Sequence, residues 1–154
     1  MKLAEALIQR KALQERIQQH QEAIEVAAVA AEGTAPDEDP KALEGELIRI
    51  HGELESLIVR IHRSNLAATL GNGQTLTEAI AHRDTLAARH RFTKSLLDQV
   101  LKRNKREAWD SDKARQAAIL SVKELRSAQD LLGKELRELD TVLQQANWAV
   151  EVLD

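Results

Sequence analysis

Residues 41–66 read KALEGELIRIHGELESLIVRIHRSNL, and Leu43, Leu47, Ile50, Leu54, Leu57 and Ile61 recur within them at alternating steps of four and three. That spacing places all six on one stripe of an α-helix. A four-three ladder is what helices need when they lie nearly parallel and pack along their length. The same pattern returns near the C-terminus in Leu125, Ala128, Leu132, Leu136, Leu139, Leu143 and Ala146. At the N-terminus it runs through Leu3, Ala6, Arg10, Leu13, Ile17, His20, Ile24 and Ala27, with Leu7 widening the stripe.

Breakers and caps divide the chain around these ladders. The first helix is expected over about 3–30, stopped by an acidic stretch that carries Gly33, Pro36 and Pro40. The second follows Pro40, over about 41–66, and ends before the turn Gly71-Asn72-Gly73. Thr75-Leu76-Thr77-Glu78 is a capping box, in which the threonine hydroxyl and the glutamate carboxylate satisfy free backbone N–H groups. It opens a third helix, over 76–103. Ser121-Val122-Lys123-Glu124 is a second box and opens a fourth, over 122–148. Residues 104–120 read as irregular, with Trp109-Asp110-Ser111-Asp112 as a loop. Helices of this length span about 40 Å, and short connections favour antiparallel neighbours. The expected fold is therefore all-α: four long amphipathic helices in an up-down antiparallel bundle with coiled-coil-like packing, forming one domain over residues 1–154.

Composition narrows the function classes. Apolar residues make up 43% and charged residues 31% of the 154, which suits folded amphipathic helices. Aromatics amount to 2% (Phe92, Trp109 and Trp148), so the core must be aliphatic and close-packed, with little room for a large ligand. The net charge of −3 offers no global field for nucleic acid or anionic membranes. The absence of cysteine excludes thiol nucleophiles, disulfides and cysteine-ligated zinc. Glu5, Gln9 and Arg10 interrupt any signal-peptide core, and the most apolar run, Val26 to Ala31, is far shorter than the ~20 residues of a membrane span. A cytoplasmic location is expected.

Polar residues inside the apolar seams are the candidate functional groups: Arg10 and His20 in the first helix, Arg83 and His90 in the third, with Thr93 beside them. Buried polar groups need partners, so bundles use them to set register and partner choice. An internal polar site is the alternative. Metal binding at a bundle core calls for Glu-x-x-His, which is missing; His51 with Glu55, and Glu78 with His82, lie four apart, as surface pairs do. His82-Arg83-Asp84 matches a kinase tripeptide but falls within a helix and lacks a phosphate loop. Gly71-Asn72-Gly73 lacks the Lys-Ser/Thr of a P-loop. No cofactor is expected and no catalytic residue stands out.

Residues 89–106 hold seven basic side chains against one acid, Asp98. This tract fits a solvated helix face whose last turn complements the helix dipole, or else a surface for phosphates or acidic protein. Stacking aromatics are missing apart from Trp109, so nucleic-acid binding is disfavoured. Trp148 is expected to lock the end of the last helix against the bundle, and Asn65 to cap the second helix or bond a neighbouring chain. Ile8, Val29, Ile48 and Ile58 widen the stripes beyond what four mutually satisfied helices require. A homo-oligomer, most simply two-fold, would cover them.

Met1-Lys2-Leu3-Ala4-Glu5-Ala6-Leu7, Arg63-Ser64-Asn65, Thr75-Leu76-Thr77-Glu78-Ala79 with Arg83-Asp84-Thr85-Leu86, and Arg137-Glu138-Leu139-Asp140 leading to Asn147-Trp148 occur in order along nearly the whole chain. In these motifs the chain resembles small, uncharacterised bacterial helical proteins that often carry the name septicolysin. The resemblance implies an all-helical bacterial protein and, through that name, a pore-forming cytolysin; it brings no catalytic or binding residues. The residues themselves favour a non-enzymatic, self-associating scaffold or interaction module. Membrane-active cytolysis is the first alternative and a metal-binding bundle the second.

Overall fold

A computed structural model describes residues 1–29, 39–107 and 120–154, without the side chains of 104–107. The elements are α1 (Leu3–Ala27), α2 (Pro40–Ala67), α3 (Leu76–Glu107) and α4 (Val122–Ala149). The all-α class is therefore as expected. The chain divides into two compact units, residues 1–76 with 144–154 and residues 77–143.

In the first unit α1 and α2 run antiparallel, since Arg16 of α1 meets Glu46 early in α2 while Gln9 shares a groove with Ser56 and Arg60 further along. The ladder that decided the fold faces inward: Ile50, Leu57 and Ile61 are buried, and Leu43, Leu47 and Leu54 are half-buried. Leu3, Ala6, Leu13 and Ile17 supply the buried face of α1. Pro40 occupies the first turn of α2, where its missing N–H is no loss, and Asp39 caps the helix by accepting from the Lys41 N–H at 3.0 Å.

The link between α2 and α3 is a small hairpin. Thr69 pairs with Thr75, the Leu70 N–H donates to the Gln74 carbonyl at 2.7 Å, and Gly73 takes a φ of +83° that glycine adopts without steric cost. The chain ends join the same unit through backbone bonds from Leu3 N–H to the Val150 carbonyl and from Val152 N–H to the Met1 carbonyl, both 2.9 Å.

In the second unit α3 and α4 are also antiparallel: Arg83 meets Asp140, and His90, one heptad on, meets Gly133, one heptad back. Ala79, Leu86, Ala87 and Leu97 are buried on α3, and Leu125, Leu132 and Leu143 on α4. The second capping box forms as read, with Glu124 N–H donating to Ser121 Oγ at 3.1 Å and Ser121 N–H to the Glu124 carboxylate at 3.4 Å.

The structure corrects some details. Helix α1 ends at Ala27 rather than Ala30, where the Ala28 N–H closes on the Ile24 carbonyl and Val29, 83% exposed, has no packing to hold another turn. Helix α3 runs on to Glu107, so 104–107 are helical where an irregular segment was expected. The rest of that segment, 108–119, lies outside the described residues, as does the loop expected at Trp109. Ala128 is exposed although it falls on the α4 ladder. Trp148 is 57% exposed and does not seal the end of α4, because the C-terminal residues take over that closure through backbone pairing.

Candidate functional site

The four polar seam residues occupy two helices in two units. On α1, Arg10 and His20 are separated by ten residues, about 15 Å of helix axis, so they do not form one site. The His20 Nδ1–H donates to the Arg16 carbonyl oxygen at 2.9 Å, one turn back, which turns the imidazole onto its own helix. Arg10 is half-buried, and its Nε is enclosed without a hydrogen-bond partner among the described residues. Asn65, within α2 rather than at its cap, likewise has an enclosed Oδ1 without a partner among the described residues. A buried polar atom left unpaired costs about 1–3 kcal/mol, so both sites are paid for by the packing around them.

On α3, Arg83 is bound. Its Nε donates to Asp140 at 3.0 Å and its Nη1 to Asp84 at 3.1 Å. The hydrogen bonds to Asp140 and then Asp84 raise its already high pKa further, and the guanidinium is a fixed cation that clamps α3 to α4. Both side chains of the main pair are about 40% exposed, so solvent screens the bridge and it serves register more than stability. His90 lies one heptad further along the same seam. Its Nε2 is 3.4 Å from the point where a Cβ on Gly133 would sit, and Arg137 Nη1 is as close. Gly133 is buried, and its missing side chain lets the imidazole lie against the backbone of α4.

A charged cluster missed by the sequence reading joins α1 to α2. Arg49 donates to Glu46 at 2.6 and 2.9 Å and is also bound to Glu53, while Arg16 reaches Glu46 from α1 at 3.3 Å. The Arg49 hydrogen bond, with help from the charges of Arg49, Arg16 and His20, holds the Glu46 carboxyl below its ordinary range against the opposing effect of burial. The i, i+3 and i, i+4 spacings within α2 could have signalled this cluster; the Arg16 contact could not be read without knowing the helix register.

A second missed feature centres on Ser64, a fully buried polar residue of the first unit. Its Oγ donates to the Arg60 carbonyl at 2.8 Å and accepts from the Leu153 N–H at 2.9 Å. Arg60 in turn donates to the Leu153 carbonyl at 3.1 Å and to Asp154 at 2.8 Å. One turn of α2 thus grips the C-terminal residues.

An open groove of about 390 Å³ runs between α1 and α2, lined by Gln9, Gly52, Glu53, Ser56, Leu57 and Arg60. Its two charged residues are engaged, Glu53 by Arg49 and Arg60 by the C-terminal residues. Among the described residues no group of three or more His, Asp or Glu side chains is placed to hold a metal ion. Among them, too, no helix is long and apolar enough to cross a membrane. His51, Glu55 and His62 all stand exposed on α2.

Comparison with known proteins bears on identity. No curated protein matches the chain. A crystal structure of a functionally unknown conserved protein from Corynebacterium diphtheriae is similar over 99% of both chains, at 32% identity and a TM-score of 0.92. Residues 10–152 match a family of unknown function, DUF6847. These findings overturn the septicolysin resemblance, since neither relationship carries that name. By this match over nearly its whole length, the chain belongs to the DUF6847 family of unknown function.

Proposed function

We propose that this protein is a non-enzymatic helical interaction module that works in the cytoplasm by self-association. The observation that carries the reading is the exposure of large aliphatic and aromatic side chains at interior positions of every helix: Ile8 at 63%, Ile48 at 67%, Phe92 at 69% and Leu131 at 58%. Single exposed apolar residues are ordinary, but on long amphipathic helices they extend the stripes that pack helix on helix. The polar groups offer a second support. Arg83 and Glu46 are tied into helix-to-helix contacts, which is how register-setting residues behave, whereas the His20 ring is turned onto its own backbone.

Sedimentation equilibrium on the full chain tests the reading. Reversible association across the micromolar range is the expected result, and a strict monomer over that range would remove it.

A further inference from the structure

The net charge of −3 conceals a division. Residues 77–143 hold fourteen Lys and Arg against eleven Asp and Glu, a net +3, while the rest of the chain holds eight against fourteen, a net −6. Within the second unit the charges are sorted again, by flank. Arg83 meets Asp140 and His90 meets Gly133, so these contacts mark one flank of the seam between α3 and α4. On α4 the marked line runs back from Asp140 through Arg137, Gly133, Asp130, Arg126 and Lys123, at alternating steps of three and four. On α3 it passes from His90 to Lys94, one turn on, with Arg91 and Lys102 on its outward side. The antiparallel register brings Lys94 level with Arg126, and Lys102 level with Lys123, to within about one turn. Glu124, Glu135 and Glu138 fall on the other flank of α4.

Arg91, Lys94, Lys102, Lys123 and Arg126 are all exposed, and none of the five has an ion pair or side-chain hydrogen bond among the described residues. Asp98 and Asp130, also exposed, stand among them, so the cations outnumber the acids five to two. Elsewhere in the chain the exposed arginines Arg16, Arg49 and Arg60 are each held by a carboxylate. Phe92 and Leu131, 69% and 58% exposed, lie on the opposite flank.

We infer that this flank of α3 and α4 binds the phosphate backbone of a nucleic-acid duplex without reading its bases. The inference is independent of self-association. From Arg91 to Lys102 the cations span about 17 Å of helix axis, in two rows about 8–10 Å apart. Over that distance a duplex presents about five phosphates on each strand. A single strand is held by rings that stack on its bases, and an anionic membrane by apolar and aromatic side chains set beside the cations. Phe92 and Leu131 would serve either purpose, but they face the other way. A regular row of phosphates needs only charge.

Fluorescence anisotropy of the full chain with a labelled DNA duplex of roughly 20 base pairs and arbitrary sequence tests this. Four to five phosphate contacts give a slope of log K against log salt of about −3.6 to −4.5, so affinity falls about 150- to 500-fold between 50 and 200 mM KCl. Lys94→Gln with Arg126→Gln, both at exposed sites, keeps its helicity by circular dichroism and flattens that slope by about 1.8, as two lost contacts do. Lys41→Gln with Arg63→Gln, exposed on α2, makes the same change in net charge and leaves binding as in the wild type. Equal losses from the two pairs overturn the assignment to this flank. Absence of binding at 50 mM KCl, or binding indifferent to salt, overturns the phosphate ligand. Tighter binding to a single strand or to polyglutamate of equal length overturns the duplex, as does binding to phosphatidylserine vesicles at salt concentrations where the duplex is released.

Discussion

Replacing Gly52 by alanine adds one methyl group to the middle of α2. Glycine in a helix interior is less favourable than alanine by about 0.8–1.0 kcal/mol, because the unfolded chain gives up more backbone freedom to form the helix. Whether that gain is realised depends on what the new Cβ touches. At Gly45 and Gly52 it meets nothing within 4 Å, so the gain comes without a steric offset. The two sites are one heptad apart, about 10 Å, and their effects should add to roughly 1.6–2 kcal/mol. For a chain of this size that corresponds to a rise in Tm of about 3–8 °C. Gly133 provides the contrast. There a methyl group sits 3.4 Å from both Arg137 Nη1 and His90 Nε2, pressing an apolar group against two polar nitrogens. The propensity gain and the contact cost should cancel to within about 0.5 kcal/mol. Thermal and urea denaturation at dilutions below self-association would measure all three. Destabilisation by Gly52→Ala would refute its placement in an open helix interior. A Gly133→Ala variant stabilised as much as Gly52→Ala would refute the contact between His90 and α4.

Leu57→Ala, at a site only 5% exposed, should cost about 2–5 kcal/mol in urea denaturation, whereas Ile48→Ala on the outer face of the same helix should stay within about 0.5 kcal/mol. Ser64→Ala should cost about 1–3 kcal/mol because the Leu153 N–H loses its acceptor, and amide exchange at Leu153 should accelerate. Glu46 predicts a pH dependence. Its carboxyl titrates lower folded than unfolded, so its contribution is full above the ordinary carboxylate range and fades as pH falls through the depressed folded value. The stabilities of the wild type and Glu46→Gln should therefore differ near neutral pH and converge in acid; a gap that widens in acid would reverse the assignment.

The helices were legible because their physics is local. A four-three ladder, a proline in the first turn and a Ser-x-x-Glu box all act within a few residues, so Leu43 to Ile61, Pro40 and Ser121 to Glu124 could be read directly. Helix ends were less legible, as α1 and α3 show, since the last turn depends on what packs against it. Arg83 could be picked out as a polar group in an apolar seam, but its partner Asp140, fifty-seven residues away, could not. The same holds for the packing of His90 against Gly133. Ordered short motifs proved a poor guide to family here.

Sequence alone settled that this chain makes long amphipathic helices with aliphatic faces, because helix periodicity and capping are nearest-neighbour effects. Only tertiary structure decided which faces are covered. Leu57 and Ile61 are buried, while Val59 and Leu66 on the same helix are left in water. Tertiary structure also decided that Ser64 and Arg60 grip the C-terminal residues and that the termini pair through their backbones. Such contacts join residues far apart in the chain, and their energies exist only once the helices have taken their register.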